Sequence, residues 1–102
     1  MQAELIPNPH PGETLGEDFM KPLGLTAGAL AGELGLSESA LTGLIYGQRT
    51  LTPVVALRLS RYFGNSAEFW LGLQSDYDLM EARRKLADRI ARRVRPRQLV
   101  PA

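Results

Sequence analysis

The sequence predicts an all-α protein of five helices, the last of them long. Three observations carry this prediction. No stretch alternates apolar and polar residues over a useful strand length. Helix-start residues recur just ahead of apolar-periodic runs, at Thr26, Ser37, Thr52 and Ser66, and each can accept a hydrogen bond from the free N–H groups of a first turn. Glycines stand where the runs end, at Gly35, Gly47 and Gly64, and glycine takes the left-handed conformation of a helix C-terminus at little cost.

The elements follow in order. The first helix opens at Pro11, a residue type suited to the first helical position. It carries Glu13, Glu17 and Asp18 near its positive end, and a stop is expected before Pro22. Leu15, Phe19 and Leu23 share one side of it. Thr26 caps "AGALAGEL", which Gly35 ends; Ser37 caps "ESALTGLIY", which Gly47 ends. Thr52 caps a helix with Pro53 at its first position, running to Phe63 and closed by Gly64. Ser66 caps "AEFWLGLQSDYDLMEARRKLADRIARRV", with Glu68 in its first turn. Residues 1–10, with Pro7, Asn8 and Pro9, read as an extended or mobile N-terminal arm. Residues 11–95 form one helical domain, and residues 96–102 form a tail.

Composition narrows the classes. A chain of 102 residues is most simply one domain with one core. Without cysteine there is no disulfide scaffold and no Cys-based zinc or redox site. No apolar run approaches the roughly 18–20 residues of a membrane span, and "MQAELIPNPHPGE" lacks the basic start and apolar stretch of a signal peptide. A cytoplasmic protein is expected, with no membrane partner. The net charge of +1 hides an asymmetry. Residues 1–82 hold four basic and ten acidic residues, a net −6; residues 83–102 hold eight basic residues against Asp88 alone, a net +7. Such a block suggests a polyanionic or acidic partner, or a solvated helical face.

The turn between the second and third helices is only Gly35-Leu36-Ser37. A turn that short makes two short helices cross steeply, as in a helix-turn-helix. Ala31 is small at the crossing. Leu41, Leu44 and Ile45 face inward with Leu30 and Leu34. Glu38, Ser39, Thr42, Gly43 and Tyr46 are left to point outward, short polar side chains near the start of a helix that can reach base edges in a major groove. The helix starts at Thr26, Ser37 and Thr52 offer N–H groups and positive dipole ends to phosphates, and Arg49 can reach the backbone. The expected DNA-binding residues are therefore Thr26, Ser37, Glu38, Ser39, Thr42, Gly43, Tyr46, Arg49 and Thr52. Two capped helices at a steep angle also occur as plain core in proteins that touch no DNA.

With these residues in place, "HPGETLGEDFMKPLGLT" and "LTPVVALRLSRYFGNSAEFWLGLQ" resemble the HigA/VapI branch of the Xre-type, lambda-repressor-like helix-turn-helix proteins, over roughly residues 10–82. The resemblance implies an antitoxin that binds a RelE-like (HigB-like) ribonuclease toxin. It also implies a homodimer that represses its own operon on double-stranded operator DNA, often with the toxin as co-repressor. Carried over, the recognition helix is Ser37 to Tyr46, and the base- and phosphate-facing positions fall on Ser37, Glu38, Ser39, Thr42, Gly43 and Arg49. The chain departs from the family at three positions. Ala27 stands where many relatives carry Gln, and Ser39 and Ala40 stand where relatives often carry Arg.

The remaining motifs read as structure. Phe69, Trp70, Leu73, Tyr77 and Met80 recur at helical spacing and suit core packing. Leu79, Leu86, Ile90 and Val94, spaced by seven, four and four, suit a two-fold dimer seam; the plain alternative is a helix lying on its own core. His10, the single histidine, can cap the first helix or contact the arm. Neither a metal site nor a catalytic set is apparent, no cofactor is implied, and the chain reads as a non-enzyme. Two alternatives remain open, a free-standing Xre-type repressor and a toxin-masking interaction module with weak DNA binding.

Overall fold

The computed structural model describes residues 6–98. Among them there are five helices and no strand. Helix α1 is built of three consecutive pieces, an α turn Pro11–Thr14, a π segment Leu15–Met20 and an α turn Lys21–Leu23. It is followed by α2 (Ala27–Leu34), α3 (Glu38–Ile45), α4 (Pro53–Phe63) and α5 (Ala67–Arg93). No helix of the described residues is long and apolar enough to cross a membrane.

The caps form as the sequence predicts. The hydroxyls of Thr26, Ser37, Thr52 and Ser66 accept from the N–H groups of Ala29 (3.1 Å), Ala40 (3.0 Å), Val55 (3.4 Å) and Phe69 (3.0 Å). Each satisfies one of the donors that a first turn leaves without an intrahelical partner. At the other end of α2, Gly35 has φ +71°, and the next N–H, of Leu36, returns to the Ala31 carbonyl at 2.9 Å. This six-to-one bond closes the helix and leaves only two residues before the Ser37 cap.

The first helix departs from expectation. It does not stop before Pro22 but passes through it to Leu23, ending at Gly24 with φ +67°. Proline in a helix lacks an N–H and pushes its ring into the carbonyl four residues back. Here the turn ahead of it is widened: the Lys21 N–H bonds the carbonyl of Gly16, five residues back, and the looser π geometry opens the space the ring needs. The extra residue rotates everything beyond it by about 100°. Leu15 is fully buried and Phe19 partly so, but Met20 takes the next inward position and Leu23 is 62% exposed. The three do not share one face.

The core lies where α1 to α4 meet the first half of α5. Leu15, Leu30, Leu41, Leu51, Leu59 and Trp70 are its largest fully buried side chains. Trp70 satisfies its indole N–H on Asn65 Oδ1 at 2.8 Å, and Phe19 packs against it with ring centroids 4.8 Å apart. One buried polar residue, Gln74, ties the loop before α4 to α5 by accepting from the Leu51 N–H at 2.8 Å. Gly12, also buried, brings α1 onto the backbone of α3: a Cβ there would fall 1.7 Å from the Leu44 carbonyl oxygen.

Beyond Glu81 the helix leaves this body, and every residue from Ala82 to Gln98 is exposed. Residues 6–10 run along the near part of α5. Asn8 Nδ2 donates to the Tyr77 carbonyl (3.2 Å) and to Glu81 (3.0 Å), and Arg84 donates to the Ile6 carbonyl. The bond from Asn8 is the main reason the Glu81 carboxyl titrates below its ordinary range. Residues 1–5 of the expected arm and 99–102 of the expected tail lie outside the described residues.

Candidate nucleic-acid interface

The surface centres on α3, and tertiary contacts fix that helix at both ends and on both flanks. Leu41 and Leu44 bury its inner side. The turn before it is held by Arg58 of α4, whose Nη1 donates to the carbonyls of Leu34 (2.8 Å) and Gly35 (3.4 Å). A guanidinium on the last carbonyls of α2 both satisfies them and complements the negative end of that helix. Nothing local in the sequence marks an arginine on α4 as a cap for α2.

The outward positions are Glu38, Ser39 and Tyr46, all exposed, with Thr42 half-buried between them. Ser37 stands at the start of α3, and Thr26 and Thr52 stand at the starts of α2 and α4. The hydroxyls of these three are engaged in capping, so what these positions can offer an anion is the backbone N–H groups of the first turns. Glu38 does not point freely away. Its Oε1 lies 3.2 Å from where a Cβ of Gly28 would be, which puts the carboxylate against the first turn of α2, where the helix dipole favours an anion.

Gly43 is not an outward position. It is buried, and the stem of Arg49 lies across it, with Cδ and Nε 2.8 and 2.9 Å from the place a Cβ would occupy. The loop after α3 folds back to allow this: the N–H groups of Gln48 and Arg49 both bond the Gly43 carbonyl, at 2.7 and 3.2 Å. The missing side chain therefore gives Arg49 a seat on the flank of α3, and Arg49 itself remains exposed. Leu79, Leu86, Ile90 and Val94 belong to a different part of the molecule: all four are exposed, Leu79 near the middle of α5, Leu86 and Ile90 on its outer half and Val94 just past its end.

His10 is the N-cap of α1, with Nδ1 accepting from the Gly12 N–H at 3.0 Å. Its ring meets Tyr77 edge-on at 4.9 Å and lies against Gly47, just past α3. Burial lowers its pKa from the ordinary 6.5, against weaker opposing effects from the Arg49 backbone and the carboxylates of Asp78 and Glu13. A depressed value means that the neutral ring stabilises the fold. That contribution is full above 6.5 and is lost as pH falls through the lower folded value. Thermal melts should therefore shift downward on acidification below 6.5, and His10→Asn, which can still cap, should reduce that pH dependence. An unchanged dependence in His10→Asn would assign it to other groups. Among the described residues no cluster of three histidine, aspartate or glutamate side chains could hold a metal.

A helix-turn-helix family model matches residues 17–70. Virulence-associated protein I of Dichelobacter nodosus is 48% identical over 77 residues, covering 76% of this chain and 71% of that protein. Antitoxin HigA-1 of Vibrio cholerae is 39% identical over 74 residues, covering 72% of this chain and 70% of that protein. The solved structure of the Pseudomonas aeruginosa antitoxin HigA with the higBA promoter superposes with a TM-score of 0.88 at 34% identity, covering 90% of this chain and all of that one.

Proposed function

The chain belongs to the helix-turn-helix family, in its HigA-type antitoxin branch, and from that premise we propose that it is the antitoxin of a type II toxin–antitoxin module. In this reading it acts as a dimer, represses its own operon by placing α3 in the major groove of operator DNA, and binds and neutralises a RelE-like ribonuclease toxin. The observation that carries the DNA half is the outer surface of α3, where Ser39, Thr42 and Tyr46 stand on a helix held in place by Gly12, Arg58 and Leu41. The likeness to an antitoxin solved with promoter DNA supports it. Phosphates would be met at the starts of α2, α3 and α4 and by Arg49; bases would be met by Thr42 and its exposed neighbours.

The test separates those roles on the chain's own promoter region. Thr42→Ala should lower affinity for the preferred site by about tenfold and relax the preference at one base pair. Arg49→Ala should weaken binding to all sequences alike and make the dependence of log K on log salt shallower by about one. Equal loss of specificity from both substitutions would show the division of roles to be wrong.

The charge of the body favours a second reading. Residues 1–82 carry a net −6, which suits a basic toxin better than DNA, so the same surface would serve a toxin-masking module with weak DNA binding. Mixing the purified chain with the product of a short basic reading frame beside its own gene, and titrating promoter DNA with and without that product, distinguishes the two. A complex that forms while promoter binding stays non-specific supports the masking module.

A further inference from the structure

The outer half of α5 is a charged rod that the proposed antitoxin and repressor roles of the body leave unused. Between Arg83 and Arg97 stand eight basic residues and one acid, Asp88, all of them exposed. Among the described residues two of the eight have partners: Lys85 pairs with Glu81 at 3.5 Å and Arg84 donates to the Ile6 carbonyl. Like charges stand one turn apart at Lys85 and Arg89, at Arg89 and Arg92, and at Arg89 and Arg93, an arrangement that weakens an isolated helix. The rod does not relieve this repulsion by folding onto the acidic body. It projects from that body, which contributes to a longest dimension of 58 Å. At 100° per residue, Lys85, Arg89 and Arg92 lie within about 60° of one another, and their centre lies about 110° from the line of Leu79, Leu86 and Ile90. A second copy covering the apolar stripe would leave that basic ridge open.

We propose that this ridge, continued by Arg95 and Arg97, is a second DNA-binding surface that grips the phosphates of duplex beside the site read by α3. The proposal rests on the DNA half of the function proposed above. Its chemistry is that of a polyanion track: exposed cationic groups, Lys85, Arg89 and Arg92 one turn apart on the helix and Arg95 and Arg97 in the non-helical segment past its end, on a chain whose body carries a charge that opposes DNA. Attraction of this kind is independent of sequence and acts by releasing counterions.

The experiment replaces Arg89, Arg92, Arg95 and Arg97 by Gln, which keeps length and helix propensity and leaves Leu86 and Ile90 in place. A second variant carries Lys at all four. Binding is measured across a salt series on promoter duplexes that keep or lack flanking sequence outside a core of about 20 bp. The wild-type protein should bind the flanked duplex more tightly than the trimmed one. The Gln variant should bind both alike, with its salt slope on the flanked duplex reduced by about two to three. The Lys variant should behave as wild type, since phosphate attraction needs charge rather than a planar fork. An unchanged slope in the Gln variant overturns the proposal, including the case in which its affinity for an acidic or toxin partner falls instead. Sequence-specific binding that ignores the flanks overturns the proposal while leaving the reading of α3 intact. Wild-type protein that binds neither duplex overturns both.

Discussion

Replacing Leu86 and Ile90 together by Glu is expected to leave the protein monomeric and to lower its operator affinity by about a hundredfold or more, the scale lost when two linked recognition events become one. Leu79, Leu86, Ile90 and Val94 are 48%, 37%, 50% and 62% exposed, and they recur at the spacing of a helical seam. Among the described residues no other helix covers Ala82 to Gln98. A dozen residues of solvent-exposed helix are marginal in isolation, and these carry repelling charges besides. Packing the apolar stripe against its two-fold mate would supply the missing burial, at about 25 cal/mol per Å² of apolar surface removed from water. It would also place two recognition helices on one duplex, about 34–36 Å apart. Light scattering gives the mass and a promoter titration the affinity. A double variant that stays dimeric would put the seam elsewhere, with the N-terminal arm the next candidate.

A single methyl group at position 12 should cost nearly as much by a different route. In Gly12→Ala the new Cβ would stand 1.7 Å from the Leu44 oxygen, 2.5 Å from its carbonyl carbon and 2.9 Å from Ile45 Cα. All three are backbone atoms, so no rotamer change can make room. Either α1 lifts off α3 or the end of α3 shifts, and both disturb the packing of Leu15 and Leu44. Overpacking of this severity falls at the upper end of the usual range, about 3 kcal/mol. For a domain of this size that lowers Tm by roughly 12–24 °C. Gly32→Ala is the control, because nothing stands within 4 Å of its Cβ position. That exposed helical site should gain up to about 1 kcal/mol from helix propensity. Equal melting temperatures for the two variants would show that α1 does not press on α3 in solution.

Much of the fold was legible because the deciding interactions are short in sequence. The bonds from Thr26 to Ala29, Ser37 to Ala40 and Thr52 to Val55 each span three residues, and Gly35 and Gly64 end their helices by a conformation of their own. Such signals are complete within one turn of chain. They sufficed to place α2, α3 and α4, and with them the order of the helix-turn-helix and its outer polar face.

The failures have the opposite character. Whether a helix stops at Pro22 or widens to pass it depends on which side chain the widened turn brings inward, here Met20, and periodicity cannot weigh that gain against a loosened turn. Gly43 looked like an open position on α3 because helical phase alone puts it outward; the returning loop covers it with Arg49. Gly12 against Leu44, Arg58 on Leu34 and Gln74 on Leu51 join residues between 23 and 32 positions apart. The start of each helix follows from the residues beside it, since capping and periodicity are local free energies. How α3 is held and where Arg49 rests follow from the folded chain alone, because close packing and buried hydrogen bonds arise between segments that meet only on folding.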